Sequence, residues 1–392
     1  MRTTGSIFNT RRGQACALLC PRPLRRRLER VLTRSTIVPE LARRPLRIAQ
    51  VAPLFESVPP RLYGGTERIV SYLTEELVRM GHRVTLFASG DSKTSAELVP
   101  MCGVATRLDP QQPDELALHV LMMERVFARA TQFDVIHLHA DSLALPLARR
   151  HATPCVLTLH GRLDRPGIDA LLREFAELPL VSISQAQRAP LAWANWASTV
   201  HHGLPVEVYR FVERPRGYLA FLGRISPEKG VDQAIEIARR VRMPLRIAAK
   251  IDRGDLDYFK ARIEPLFADP LVEFIGEIGE ADKNEFLGRA TALLFPIDWP
   301  EPFGMVMIEA MACGTPVIAY RRGSVPEVVD DGVTGFVVED VESAARAVER
   351  VGVLDRRACR QGFERRFSAA RMARDYCAVY ELVGEARCQL RA

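Results

Sequence analysis

The sequence lacks several patterns that would assign its chemistry directly. None of its eight cysteines forms a CxxC pair, and no Cys/His cluster has the spacing of a zinc site. No apolar stretch reaches the ~18 residues that span a bilayer. Neither the GxGxxG pattern of dinucleotide binding, nor a Walker phosphate loop, nor a fixed-period repeat occurs. These absences argue against a zinc module, a membrane-spanning protein and a repeat protein. They also argue against a nucleotide site of the GxGxxG or Walker type.

The positive charge of the chain is concentrated at one end. Residues 1–45 carry eleven arginines against two glutamates, an excess larger than the net charge of +6 for the whole chain. The remainder is therefore slightly acidic, and we expect no nucleic-acid binding. We expect residues 1–45 to be an Arg-rich, disordered extension, with contact to anionic lipid at the inner face of the membrane as the alternative. Cysteines within apolar runs favour a reduced, cytoplasmic protein.

From residue 46 onward, short apolar runs alternate with segments of helical periodicity, which is typical of α/β domains with parallel sheets. Strands are predicted at 47–51, 84–88, 135–139, 155–160 and 180–184, and in a second series at 218–222, 245–249, 272–275, 292–295, 317–319 and 335–338. Helices are predicted from 66 to 80 and at 115–130, 230–240, 304–313 and 368–383. The pattern predicts an α/β protein with two Rossmann-like doubly wound domains, 46–212 and 213–365, followed by a C-terminal helix within 366–392.

The segment 301–310, EPFGMVMIEA, carries the strongest chemical signal. It follows a strand and a Pro-rich loop, and its helix is predicted to begin near Gly304. Free backbone N–H groups and the helix dipole at such a start form an anion site suited to a diphosphate. Glu301 precedes the helix and Glu309 lies about 9 Å along its axis, so the two carboxylates could hold hydroxyls at both ends of an extended ligand. The alternative is that Glu301 caps the helix and Glu309 is a solvated surface charge.

Three further segments follow predicted strands. The first is GRISPEKG, residues 223–230, in which Arg224 offers a forked guanidinium and Lys229 offers a point charge. This combination suits a pyrophosphate. The alternative is that both residues are surface cations near a turn. Gly64 and Gly65, within YGGTE, would let a backbone or ligand come close before a helix, or serve only the turn. His160 ends a strand and could bond a substrate hydroxyl or be structural.

The other histidines give weaker signals. His137 is interpreted as structural, whereas His139 is left open because it lies nearer its strand end. His201 and His202 precede Gly203 without a third metal ligand nearby, so a metal site there is a weak hypothesis.

Taken together, these segments resemble the retaining GT-B glycosyltransferases of family 4, the glycosyl transferases group 1. The resemblance covers about residues 46–365 and rests mainly on the E-x7-E segment from Glu301 to Glu309 and on GRISPEKG, with YGGTE upstream and TLHG between. It implies a GT-B fold, in which two Rossmann-like domains face a cleft and the last helix crosses back to the first domain. It also implies transfer of a sugar from a nucleoside-diphosphate sugar to a glycan, a lipid-linked glycan or a small molecule, with retained anomeric configuration and a place in polysaccharide biosynthesis.

The resemblance also implies residue roles. Arg224 and Lys229 would bind the donor diphosphate, Glu301 a hydroxyl of the donor sugar, and Glu309 the ribose. His160 would contact the sugar near the reacting carbon. The other implied donor-binding residues are Gly64, Gly65, Phe303, Gly304, Met305 and Gly276, whose loop would flank the base. Cations would replace a metal, so neither a metal nor another cofactor is expected.

The chain departs from the family pattern at two places, and other functions remain open. Val200–Pro205 reads VHHGLP where many relatives have an asparagine before the glycine, and Ala249-Lys250-Ile251-Asp252 stands where many have a Gly-x-Gly turn. Lys250 is therefore either a third cation near the nucleotide or a surface charge. The alternatives are a nucleotide-sugar epimerase or phosphorylase of the same fold, a non-catalytic nucleotide-sugar binder, and a nucleic-acid-associated protein that uses the arginine-rich extension.

Overall fold

The computed structural model describes residues 44–389 except 63 and 141. This part of the chain forms two sheets in which every strand pair is parallel. The first sheet contains β1 (Arg47–Val51), β2 (Arg83–Ala88), β3 (Glu97–Pro100), β4 (Val135–Leu138), β5 (Cys155–Thr158), β6 (Leu180–Ser182) and β7 (Trp196–Thr199). The second contains β8 (Leu219–Arg224), β9 (Leu245–Lys250), β10 (Val272–Gly276), β11 (Ala292–Phe295), β12 (Val317–Tyr320) and β13 (Gly335–Val338).

Helices connect the strands of both sheets. They are α1 (Gly65–Arg79), α2 (Glu115–Ala128), α3 (Leu145–Arg150), α4 (Ile168–Glu174), α5 (Gln185–Arg188), α6 (Val231–Val241), α7 (Leu256–Tyr258), α8 (Glu280–Gly288), α9 (Met305–Ala312), α10 (Val325–Val328), α11 (Val341–Arg350), α12 (Arg356–Phe367) and α13 (Ala369–Gln389). Short 3-10 helices lie at Thr106–Leu108, Ala130–Gln132, Ser142–Ala144, Ala189–Leu191, Pro227–Lys229, Arg253–Asp255, Glu264–Ala268 and Val351–Val353, and a π-helix at Phe259–Ile263.

The alternation of strands and helices predicted from the sequence is confirmed. Central strands such as β1 are buried on both faces, and Ile48, Ala49 and Val51 are fully inaccessible to solvent. Parallel strands covered by helices on both sides read as continuous apolar runs for this reason. The sequence did not predict β3 and β7, because these two edge strands are short and only partly buried.

The strand order places a switch point in each sheet. The orders are β3-β2-β1-β4-β5-β6-β7 and β10-β9-β8-β11-β12-β13. The direction in which the chain adds strands therefore reverses between β1 and β4, and again between β8 and β11. In doubly wound sheets, ligands bind outside the carboxyl ends of the strands at such a point.

The last helix, α13, returns to the first sheet. It packs on α1, β5 and β7, and its buried side chains Met372, Tyr376 and Tyr380 belong to an apolar cluster that also contains Ile48 of β1 and Leu293 of β11. The crossing of the C-terminal helix to the first domain, expected from the resemblance, is confirmed. The exact domain limits at 212 and 365 stay predictions.

Polar contacts join the two halves of the chain; we call them the rim contacts. The Glu327 carboxylate of α10 accepts hydrogen bonds from the backbone N–H groups of Gln185 (2.8 Å) and Ala186 (2.6 Å) in α5. Glu280 of α8 pairs with Arg68 of α1 at 3.0 Å and accepts from the Tyr72 hydroxyl. The first and second halves are thus linked by carboxylates as well as by apolar packing.

The predictions of an arginine-rich extension and of no membrane-spanning segment both depend on which residues the structure describes. Residues 1–43 of the predicted extension lie outside the described residues, as does Tyr63 of the YGGTE segment. Between residues 44 and 389, no helix is both long enough and apolar enough to cross a membrane.

Gly203 lies where the segment between the sheets meets the start of α13. Leu204 donates to the Phe367 carbonyl (2.9 Å), and Ala369 donates to the Leu204 carbonyl (2.8 Å). A Cβ at position 203 would lie 2.4 Å from the Ser368 carbonyl oxygen, which is backbone and cannot rotate away. We therefore predict that Gly203→Ala lowers the free energy of unfolding by about 1–3 kcal/mol, measured by urea denaturation.

Gly352→Ala is the matched control, because a Cβ there would meet nothing within 4 Å. We expect it to change the free energy of unfolding by less than about 0.5 kcal/mol. Equal stability of the two variants would contradict the close approach at Gly203.

Candidate functional site

A cleft of about 410 Å³ lies at the carboxyl ends of both sets of strands. The predicted site residues that line it are Gly64, Gly65, His160, Arg224, Lys229, Lys250, Glu301, Phe303, Gly304, Met305 and Glu309. Gly276 ends β10 and is not among the lining residues, whereas the next two residues, Glu277 and Ile278, are. The fold thus brings together side chains from segments up to 245 positions apart in sequence, from Gly64 to Glu309.

Lys229 and Glu301 form an ion pair in this cleft. Lys229 Nζ lies 2.7 Å from Glu301 Oε2, which also accepts a hydrogen bond from Trp299 Nε1 at 3.0 Å. The ammonium lies 5.0 Å from the centroid of the Trp299 ring. Gly230 allows this approach: its φ is +68°, and a Cβ there would lie 2.2 Å from the Pro296 carbonyl oxygen. The alternative in which Glu301 caps α9 is wrong, because the N-cap is Gly304 and no side chain in the described part of the chain caps this helix.

Glu309 is buried on α9 rather than solvated. Only 1 % of its surface is exposed, and Oε1 lies 2.7 Å from Lys283 Nζ of α8. The alternative of a solvated surface charge is therefore wrong. Lys283 also lines the cleft, and the sequence analysis missed it because a lysine on a short polar helix carries no motif.

Arg224 and Lys250 are neighbours in the second sheet. They are register partners at the ends of β8 and β9, and both pair with Asp252, at 3.4 Å and 3.0 Å respectively. Arg224 also pairs with Glu228 at 2.5 Å. Lys250 thus lies beside Arg224 at the cleft rather than on a remote surface.

His160 enters the cleft from the first half. Burial lowers the pKa of His160 to about 4, so the ring is neutral at neutral pH. Its Nε2 lies 2.9 Å from Nδ1 of His139, and its ring stacks on His202 at a centroid distance of 5.4 Å. His202 also lines the cleft and packs against the edge of Phe303. The sequence analysis considered His202 only as a metal ligand, and the described residues contain no group of three or more His, Cys, Asp or Glu side chains placed to hold a metal ion.

The two glycines before α1 have different surroundings. A Cβ at Gly64 would lie 2.7 Å from Pro60 Cβ, so packing within the first half requires this glycine. A Cβ at Gly65 would meet no atom of the described residues within 4 Å, which leaves space beside the cleft at the first residue of α1. Gly65 therefore fits the predicted approach of a ligand better than Gly64.

Glu67, which the sequence analysis did not single out, is a buried acid of the cleft. It belongs to α1, lines the cleft and is 5 % exposed. Burial raises the pKa of its carboxyl to about 7, an effect to which the negative charge of Glu56 contributes. A buried acid leaves no signature in a single sequence because its environment is set by distant segments.

Sequence models of two glycosyltransferase families match the chain. The sequence model of the family described as "Glycosyl transferases group 1" matches residues 211–359, and that of "Glycosyltransferase Family 4" matches residues 63–218. Together the two matches cover more than half of the chain and include every predicted site residue.

Two curated relatives are similar over most of their length. A glycogen synthase of Mycobacterium tuberculosis is 28 % identical over 80 % of this chain and 87 % of that protein. A phosphatidyl-myo-inositol mannosyltransferase of the same organism is 26 % identical over 86 % of this chain and 97 % of that protein.

A solved structure shows the same fold. The Anabaena protein HepE, in complex with UDP-glucose, superposes with a TM-score of 0.63 at 18 % identity, over 87 % of this chain and 100 % of that chain. This likeness, together with the two parallel sheets, shows the GT-B fold.

The buried Glu67 carboxyl makes stability depend on pH. Its pKa is about 7 in the folded protein, against the ordinary 4.5 when unfolded. Between these values the folded state binds more protons, so the free energy of unfolding falls as pH rises from 4.5 through 7. We predict that Glu67→Gln raises the melting temperature at pH 8 and changes it much less at pH 5. Expressed as free energy of unfolding, the stabilisation by the substitution should be about 1–3 kcal/mol larger at pH 8 than at pH 5.

Glu124→Gln, which removes an exposed carboxylate from α2, is the control for the loss of one negative charge. Thermal unfolding of both variants at pH 5 and pH 8 makes the comparison. An equal effect of Glu67→Gln at the two pH values would contradict the buried acid.

Proposed function

Since the chain belongs to the group 1 glycosyltransferases of family 4, we propose that it transfers a sugar from a nucleoside-diphosphate sugar to an acceptor hydroxyl with retained anomeric configuration. The observation that supports this best is the arrangement on one wall of the cleft. Arg224, Lys229, Glu301 and Glu309 all line the cleft around the start of α9. Two cations, two carboxylates and a helix N-terminus match the diphosphate and the hydroxyls of such a donor.

The donor diphosphate would bind to Arg224 and Lys229. Lys250 adds charge beside Arg224, and the N–H groups of Phe303, Gly304 and Met305 lie at a helix start, where backbone donors lack intrahelical acceptors. A phosphate oxygen would share or replace the carboxylate partners of these cations, since Lys229 pairs with Glu301 and Arg224 with Glu228.

The hydroxyls of the donor would bind to the two glutamates. Glu309 would hold the ribose and Glu301 a hydroxyl of the transferred sugar. Lys283 holds the Glu309 carboxylate in place through an ion pair of 2.7 Å. Gly65 would give the diphosphate room at α1, and the loop after Gly276 would flank the base through Glu277 and Ile278.

In the proposed mechanism, the acceptor hydroxyl attacks from the face that the diphosphate leaves. The bond from the anomeric carbon to the phosphate oxygen breaks, and the departing phosphate takes the acceptor proton. Arg224 and Lys229 would stabilise the negative charge that develops on the diphosphate, and the cleft would hold the reactants in place. These cations would serve in place of a metal. An inverted anomeric configuration in the product would contradict this part of the proposal.

The acceptor is proposed by analogy with the relatives. One relative is named for phosphatidyl-myo-inositol and another for glycogen. We therefore propose a lipid-linked or glycan acceptor and a role in polysaccharide biosynthesis, which fit the names of these two relatives. With a lipid-linked acceptor, the enzyme would act in the cytoplasm at the inner face of the membrane.

The donor class can be identified by thermal stabilisation. We expect UDP-, GDP- or ADP-sugars of one base class to raise the melting temperature by several degrees, and we expect the shift to persist in EDTA because the cations bind the diphosphate. A shift that EDTA abolishes would contradict metal-free binding. Absence of any shift, combined with absence of product in a transfer assay with each donor class, would contradict the proposed function.

Lys229 provides the sharpest test of the diphosphate contact. We predict that Lys229→Ala lowers kcat by about 10²–10³-fold while the circular dichroism spectrum stays unchanged, because the side chain lies at the cleft surface. Lys260→Ala, which removes an exposed lysine outside the cleft, should retain the full rate. A folded Lys229→Ala variant with the native rate would contradict the assignment.

A further inference from the structure

A continuous chain of hydrogen bonds runs behind the cleft from His160 to α13. It begins with His160, His139 and Gln50 and continues through Tyr380, His137, Thr158 and Tyr376. All of these side chains except His160 are fully or almost fully buried. A chain of this kind has a direction, since each hydroxyl or neutral imidazole in it donates once and accepts once.

Gln50 of β1 sets the direction on the side of the cleft. Its Oε1 lies 2.8 Å from Nε2 of His139. A carboxamide oxygen only accepts, so His139 carries its proton on Nε2. Burial holds the pKa of His139 well below its usual value, and the neutral ring therefore has an unprotonated Nδ1.

The tautomer of His160 follows from that of His139. Nδ1 of His139 lies 2.9 Å from Nε2 of His160. Because Nδ1 of His139 accepts, Nε2 of His160 must donate and carries the proton. Nδ1 of His160 is then an unprotonated nitrogen; it is buried and has no hydrogen-bond partner among the residues that the structure describes.

The other side of Gln50 agrees with the same direction. Gln50 Nε2 donates to the Tyr380 hydroxyl at 3.1 Å. That hydroxyl can then donate to Nδ1 of His137 at 2.8 Å, and His137 donates from Nε2 to Thr158 at 2.7 Å. No donor faces a donor along this path, and reversing the Gln50 amide would reverse every bond in it, so the orientation of this one amide decides the direction of the whole path.

We propose that Gln50 is a positioning residue that fixes His160, through His139, in the Nε2-protonated tautomer, so that Nδ1 of this cleft-lining residue is left as a buried acceptor without a partner among the described residues. A substrate group bound by this nitrogen must carry a proton, as a sugar hydroxyl does. Had the amide been reversed, His160 would instead present an N–H, which suits a carbonyl or carboxylate oxygen. The effect on turnover rests on the proposed function, whereas the tautomer does not.

The tautomer can be read directly by NMR on the full chain. Ring nitrogens of ¹⁵N-labelled histidines give distinct shifts when protonated and when not, and the signals of His160 are those lost in His160→Gln. We expect the native protein to show a protonated Nε2 and an unprotonated Nδ1 for His160 near pH 7. A protonated Nδ1 in the native protein would overturn the proposal.

Variants test the role of Gln50. Gln50→Met keeps the length of the side chain and removes both amide groups, so His160 should become a mixture of tautomers. If this variant does not fold, His139→Phe breaks the same connection one bond nearer to His160 and should give the same mixture. Tyr376→Phe, at the far end of the chain of bonds, is the matched control and should leave the tautomer of His160 unchanged.

The kinetic measurement separates positioning from a general loss of structure. We expect Gln50→Met to lower kcat/KM about tenfold relative to Tyr376→Phe of similar melting temperature. A folded Gln50→Met protein that keeps the single Nε2-protonated tautomer would overturn the proposal. If the native protein shows that tautomer but turns over no nucleotide sugar, the proposed function fails and the role of Gln50 stands.

Discussion

The carboxyl ends of all the parallel strands in a sheet lie at one edge, and this constraint governs the site. Each sheet can therefore supply only one wall, with His160 on the first and Arg224 and Lys229 on the second. α13 helps to hold the two walls face to face, because it leaves the second half and packs on α1, β5 and β7 of the first. The apolar cluster shared by the two halves and α13 thus does more than stabilise the fold, since it also determines which side chains face each other.

Charge in the cleft is balanced locally rather than concentrated. Lys229 pairs with Glu301, Lys283 with Glu309, and Arg224 with Glu228. Each cation keeps a carboxylate partner, which limits the cost of holding these groups in a partly buried site. In the proposed function, a donor diphosphate would meet cations whose positions these carboxylates already fix.

Sequence reasoning reached the fold, and most of the residues that it predicted for the site line one cleft, for a physical reason. Strand runs, helix starts and loop motifs such as GRISPEKG are local, and the site lies where such loops follow strands. What it missed depends on contacts between distant segments. Lys283 and Trp299 carry no motif, the burial of Glu67 cannot be read from its place in YGGTE, and only folding brings Lys283 to within 2.7 Å of Glu309. The burial of Glu309 was likewise invisible, because α9 is apolar nearly all round and its neighbours come from elsewhere.

The rim contacts have a consequence for how long a ligand stays bound. Glu327 holds the start of α5, and Glu280 holds Arg68 and Tyr72, so separation of the two walls breaks charged and polar bonds that water can replace. Arg68 and Glu280 are only 3 % and 28 % exposed, and salt screens such partly buried pairs much less than exposed ones. For a ligand whose release requires the two walls to separate, the residence time should therefore depend only weakly on salt concentration. The rim contacts would then set the pace of release without altering any group that takes part in the proposed chemistry.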